Sequence, residues 1–326
     1  MKMKFWGTRG SLPRSYSNQD FNNFVKELIN KAESKGISTL KEFSNAMNDA
    51  KFGAPLLLGG HTSCTEIIHE KEHFFIDSGT GITDAAVQVL KEGQNEFRLF
   101  QTHMHWDHIM GLPFFLPIYI PGIRITIYHV HPITPEYIKL QFNGVNFPVP
   151  WEQLGSTIEF KKINLYEKMQ FGSVTVSAFC LDHPGGSFGY RFDAGGKSIA
   201  IGVDGEYKRL TPENLGNDLK YFQNLDLLTF DAQYAMNELV RRFDWGHCTP
   251  SIGVDLALRE GVKTLVLNHH DSRRTEADSF KMLKDAKDHL KTQLPAYQEI
   301  WNRLKQPKGP NVLLGYDGLE IDLDAT

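Results

Sequence analysis

Cysteine is scarce in this chain: only Cys64, Cys180 and Cys248 occur in 326 residues. Three thiols make no even disulfide framework and suit a reducing, cytoplasmic compartment. Long apolar runs are absent too. No stretch approaches the roughly 18 apolar residues of a membrane span, and the opening Met1-Lys2-Met3-Lys4-Phe5-Trp6-Gly7 lacks the apolar core of a secretory signal. Neither sign of charge prevails. With a formal net charge of -4 there is no global basic field to drive nonspecific nucleic-acid binding. The composition, 41% hydrophobic and 23% charged, can bury a sizeable core as one large α/β domain over residues 1–326.

Against that background the run His103-Met104-His105-Trp106-Asp107-His108 holds four metal-capable side chains in six positions. Residues 96–102 before it read as a strand, and alternate residues of an extended segment share a face. His103 and His105 therefore point the same way, and two imidazoles can hold one cation. Ile109 to Pro113 reads as one helical turn, ended by Gly111 and Pro113. The cluster thus stands at the C-terminal end of a strand, where open α/β sheets place their sites. A single His among aromatics is ordinarily a hydrogen-bonded core residue; four ligand types this close together are not so explained.

The same placement recurs. His183 follows the alternating Val174 to Phe179, Asp204 follows the apolar Ser198 to Val203, and His269 and His270 follow Lys263 to Asn268. Asp77 ends a strand of its own. Taken singly, each reads as a solvent-facing His or a helix-capping Asp. Their recurrence at strand exits argues for convergence on one site.

The pattern His-x-His-x-Asp-His, then a lone His, a lone Asp and a lone His, resembles the metallo-β-lactamase fold superfamily of metal-dependent hydrolases. Residues 5–11 (FWGTRGS), 59–64 (GGHTSC), 75–81 (FIDSGTG), 231–234 (DAQY), 245–249 (WGHCT) and 267–271 (LNHHD) are similar to its phosphodiesterase branch, which includes tRNase Z and the carbon-phosphorus lyase accessory phosphodiesterase. The resemblance implies a four-layer αββα sandwich, whereas periodicity alone also allows a parallel doubly wound sheet. It implies two divalent ions: His103, His105 and His183 on the first, Asp107, His108 and His269 on the second, and Asp204 bridging. His270 is the second choice for the last His, and Asp77 would orient a ligand from behind. Most members of the branch carry Asn where this chain has His61, which bears on the substrate. Imidazole and carboxylate ligands suit Zn²⁺ first, then Mn²⁺ or Fe, and the lack of Cys in the set argues against a closed structural zinc site.

Asp107 and His247 are the implied catalytic residues. His247 matches a proton-donating His of tRNase Z-like members; it also simply precedes a helix with Thr249 as N-cap and Pro250 at its first position. The expected reaction is hydrolysis of a small or cyclic-nucleotide phosphodiester. A tRNase Z-like endoribonuclease is the alternative, disfavoured by the acidic balance; a thioesterase or lactonase, and a non-catalytic metal-binding scaffold, come after.

Strands are expected at residues 1–6, 64–69, 72–77, 97–102 and 123–129 in a first half, and near 158–164, 174–181, 188–193, 198–203, 226–230 and 263–268 in a second. Helices are expected at 81–91, 134–142, 251–260 and 275–304, the last broken at Pro295. A helical insertion at about 14–55, with helices at 18–35 and 38–49, carries Phe21, Phe24, Val25, Leu28 and Ile29 on one amphipathic face. It reads as a surface embellishment or homodimer contact, or else as a cap at the mouth of the site.

Overall fold

A computed structural model describes residues 1–47 and 57–325. Residues 48 and 49 of the expected 38–49 helix, and the close of the insertion, lie outside the described residues. The first part of the chain runs β1 (Lys2–Gly7), β2 (Arg9–Gly10), α1 (Asn18–Ser34), α2 (Leu40–Met47), β3 (Cys64–His69), β4 (Glu72–Ile76), α3 (Ile82–Lys91), β5 (Glu96–Gln101), α4 (Trp106–Ile109), β6 (Arg124–His129), α5 (Thr134–Leu140) and β7 (Thr157–Lys162). Then come β8 (Lys168–Phe171), β9 (Val174–Leu181), β10 (Ser187–Ala194), β11 (Lys197–Gly202), α6 (Pro212–Leu215), β12 (Leu227–Asp231), α7 (Met236–Leu239), α8 (Pro250–Glu260), β13 (Thr264–Asn268), β14 (His270–Asp271), α9 (Glu276–Gln293), α10 (Gln298–Arg303), β15 (Asn311–Leu314) and β16 (Glu320–Asp322).

Two seven-stranded sheets result, ordered β16-β1-β3-β4-β5-β6-β7 and β15-β13-β12-β11-β10-β9-β8. The period-2 alternation of side chains divides each strand between two cores. Phe74, Ile76 and Phe100 of the first sheet meet Val176, Tyr190, Phe192 and Ile201 of the second in the central layer. Phe75, Phe97 and Leu99 face the other way onto Ile82, Ala85, Ala86 and Val89 of α3. Leu228, Phe230 and Leu265 are likewise covered by Val254 and Ala257 of α8 and Leu290 of α9. The layering is αββα, as the resemblance implies.

Two expectations are corrected. The strand near 158–164, placed above in the second half, pairs in parallel with β6 at the edge of the first sheet, reached by a crossover through α5. β8, β15 and β16 were not anticipated; β16 returns the chain's end to the first sheet, antiparallel to β1. The long C-terminal helix ends at Gln293, and a single 3-10 turn around Pro295 separates it from α10. In the insertion, Ser17 and Asp20 form a capping box at the start of α1, and Leu28 and Ala32 pack with Phe43 of α2. Glu276 ties the approach to this insertion down by accepting from the Arg9 Nη2 and Tyr16 hydroxyl, each at 2.7 Å.

Candidate metal centre

Two of the candidate ligands, and the Asp77 behind them, leave their strands by a sharp turn. Asp77, Asp204 and His269, the residues just past β4, past the end of β11 and past β13, have φ of 64°, 57° and 59°, and Ser11 after β2 has 67°. Non-glycine residues in this left-handed region are uncommon and gather where structure around them fixes the conformation. Here the turn swings a polar side chain from the end of an apolar strand into a shared, buried space.

Three groups assemble there. Donor atoms of His103, His105 and His183 lie within 4.8 Å of one another, as do those of Asp107, His108 and His269. Asp204 stands between: its Oδ2 is 2.9 Å from His108 Nε2 and 3.2 Å from His269 Nε2, and its Oδ1 is 4.0 Å from His183 Nε2. Imidazole nitrogens face each other across the gaps, His183 Nε2 to His105 Nδ1 at 3.0 Å and His108 Nε2 to His269 Nε2 at 3.3 Å. His103 Nε2 is buried without a hydrogen-bond partner among the described residues. Converging buried lone pairs of N and O donors are what divalent cations satisfy, so the residues present fit a pair of such ions.

Groups behind the ligands fix their direction. Asp77 accepts from His108 Nδ1 at 2.7 Å and is itself held by the Thr102 amide, at 2.9 Å, and by the Gln101 side chain. The Gly246 carbonyl accepts from His183 Nδ1 at 2.8 Å. Both contacts leave Nε2 pointing into the cluster, the usual arrangement for ligating imidazoles. The Ser11 amide donates to Asp107 Oδ2 at 2.7 Å. Two glycines are obligatory: a Cβ on Gly10 would stand 2.4 Å from the His269 ring, and one on Gly246 2.2 Å from His183 Nδ1.

Protonation follows the same division. Burial, with repulsion from neighbouring imidazoles, drives His103, His105 and His183 below the ordinary imidazole range, leaving neutral donors. Burial also opposes charge on His108 and His269, but the surrounding carboxylates, Asp204 foremost, outweigh it: His108 rises well above its usual value and His269 to about 9. For Asp107 and Asp204 the burial penalty is overcome by these histidines, and both carboxyls are held well below their usual range.

His247 stands beside the cluster. Its Nδ1 is 2.8 Å from Asp231 Oδ2, and its ring lies 5.2 Å from that of His269 and 5.3 Å from that of His183. Thr249 and Pro250 do open α8, though the Thr249 side chain makes no capping hydrogen bond, so helix start and site position coexist in one segment. Asp231 was not singled out from sequence. It is fully buried, accepts the Gln233 and Cys248 amides at 3.0 Å each, and shares a cluster with Asp204, His247 and His269. The signal for it was there: like Asp77 and Asp204, it is an acid closing an apolar strand. Two other candidates are placed apart. The His61 ring turns to the Thr80 hydroxyl and Asp84, and its backbone carbonyl accepts the Thr8 and Arg9 amides. His270 pairs with Arg9 between β14 and β2, and its Nε2 donates to the Gly315 carbonyl at 2.9 Å, so its ring takes no part in the cluster.

Residues 86–270, more than half of the chain, match the model of the beta-lactamase superfamily domain. A ribonuclease Z of Bacillus cereus is 28% identical over 242 residues, 59% of this chain and 76% of the relative. Among solved structures, the metallo-beta-lactamase fold protein YhfI of Bacillus subtilis aligns over 98% of both chains with a TM-score of 0.63 at 14% identity. Zinc-bound PqqB of Methylobacterium extorquens aligns over 99% of this chain and 100% of its own at 0.59 and 15%. On the domain match, and with a fold shared from end to end with these structures, the chain belongs to the beta-lactamase superfamily and has the metallo-β-lactamase fold.

Proposed function

We propose that this chain is a phosphodiesterase dependent on two divalent cations, with zinc the first candidate. The convergence of seven metal-capable side chains from four strand ends, with the His247–Asp231 pair beside them, carries the reading. His103, His105 and His183 would hold one ion, Asp107, His108 and His269 the other, and Asp204 both. When bound, such ions lower the pKa of water from 15.7 to roughly 7 and neutralise charge on phosphoryl oxygens.

The remaining work falls to the chain. Asp107, held ionised, accepts a hydrogen bond from the attacking water. Asp231 holds the Nδ1–H of His247, which leaves Nε2 to carry a proton to the departing ester oxygen. The water oxygen forms the new bond to phosphorus, the bond from phosphorus to the leaving oxygen breaks, one hydrogen reaches that oxygen through His247, and the other stays on the product monoester. General acid catalysis of this kind contributes about 10²- to 10⁴-fold, so His247→Ala should lower kcat by that factor with both metals retained. Unchanged turnover would remove His247 from the mechanism.

The substrate favoured here is a small or cyclic-nucleotide phosphodiester, in keeping with the net charge of -4. The likeness to ribonuclease Z supports a second reading, an endoribonuclease acting on precursor tRNA. Zinc-loaded protein assayed on bis(p-nitrophenyl) phosphate, a cyclic-nucleotide panel and precursor tRNA separates the two, and inactivity on all three would end both.

A further inference from the structure

Resting on the phosphodiesterase reading, we propose that the groove beside the ligand run binds a nucleobase of the substrate. Met104 and Trp106 alternate with His103 and His105, so they serve the opposite side of the same segment. There they line a groove of about 320 Å³ completed by Phe114, Gln141, Asn146 and Phe147. The volume is at the small end of the range for small-molecule pockets.

Three observations define the occupant. First, the walls are flat and apolar: the Trp106 and Phe114 side chains are 77% and 61% exposed, and the Phe114 and Phe147 rings meet edge to face at 5.4 Å. An indole so exposed between two ligand residues contributes little to a core, whereas exposed aromatic faces are the usual platform for an unstacked base. Second, Gln141 Nε2 is buried without a hydrogen-bond partner among the described residues. A heteroaromatic ring supplies an acceptor to that amide; an alkyl chain would leave it unpaired. Third, no charged residue lines the groove among the described residues. The phosphate therefore has its place among the cations on one face of the ligand run, and the base its place on the other.

Two esters with one leaving group test this: methyl p-nitrophenyl phosphate and the p-nitrophenyl ester of thymidine 5′-phosphate. For zinc-loaded wild type, kcat/KM should favour the nucleotide about tenfold or more, and Phe114→Leu and Gln141→Leu should each pull the ratio toward one. In metal-free protein, thymidine 5′-phosphate should quench tryptophan fluorescence, and the quench should vanish in Trp106→Phe. A wild-type ratio near one, a quench that survives Trp106→Phe, or quenching by dodecyl phosphate but not by the nucleotide would overturn the assignment. Hydrolysis of both esters at equal rates sinks the base site while leaving the phosphodiesterase reading intact. Quenching without hydrolysis of either ester does the reverse.

Discussion

The two sheets furnish the centre in different ways. The first delivers His103, His105, Asp107 and His108 in one turn of chain after β5, while the second delivers His183, Asp204 and His269 singly, from the ends of β9, β11 and β13. One half acts as a preassembled claw; the other is a set of independent fingers that meet it only if the sheet is in register. The difference predicts where damage spreads. A fault behind the claw disturbs several donors at once, whereas a fault behind a finger disturbs one.

The test that breaks this contrast most severely is Asp204→Ala, since the Asp204 carboxylate stands between both sets. Elemental analysis should find no more than one retained ion, and turnover should fall by about 10³-fold or more, the scale of losing a central electrostatic group. Asp77→Asn comes next. It removes the negative charge behind His108 and leaves one acceptor oxygen where two now serve His108 Nδ1 and the Thr102 amide, without touching the cluster space, and weakened metal affinity of about 10- to 100-fold is expected in chelator competition. Gly246→Ala, by contrast, should displace the His183 ring alone, lowering occupancy of the first ion while sparing the second; loss of both together would refute the independence of the fingers.

The smallest effect lies away from the centre, at the far end of β4. Glu66 is buried and accepts from His73 Nδ1 and, at 2.8 Å, from Trp6 Nε1; the bond to Glu66 raises the His73 pKa above its ordinary value of 6.5. A raised pKa in the fold contributes stability that is complete below the unfolded value and lost as pH rises through the folded one. His73→Asn should therefore cost about 1 kcal/mol below pH 6.5, and progressively less under alkaline conditions. Denaturant unfolding across that range checks the sign without involving the metals.

The legibility of this chain follows the same contrast. The claw could be read because its donors are neighbours and strand geometry alone sets His103 and His105 on one face. The fingers could be placed at strand exits, but nothing local says which exits converge. Asp231 escaped for that reason: its meaning depends on His247, sixteen residues later, packing against it. His270 looked equivalent to His269 by position, yet the pairing of β14 with β2 turns its ring elsewhere, and His61, read as bearing on the substrate, faces Thr80 and Asp84. β16 was invisible because three short residues gain a partner only when β1 is already in place.

The pairing of β2 with β14 joins Arg9 to His270 and sets Gly10 under the His269 ring. Contacts so distant along the polypeptide close late, after nearby pieces have formed, because the entropy of a large loop must be overcome first. The last donor should thus arrive with the clasp that fixes it. Refolding followed by zinc uptake should accordingly show the ions captured in the slowest phase, with the hexapeptide waiting for its counterpart rather than loading ahead of it.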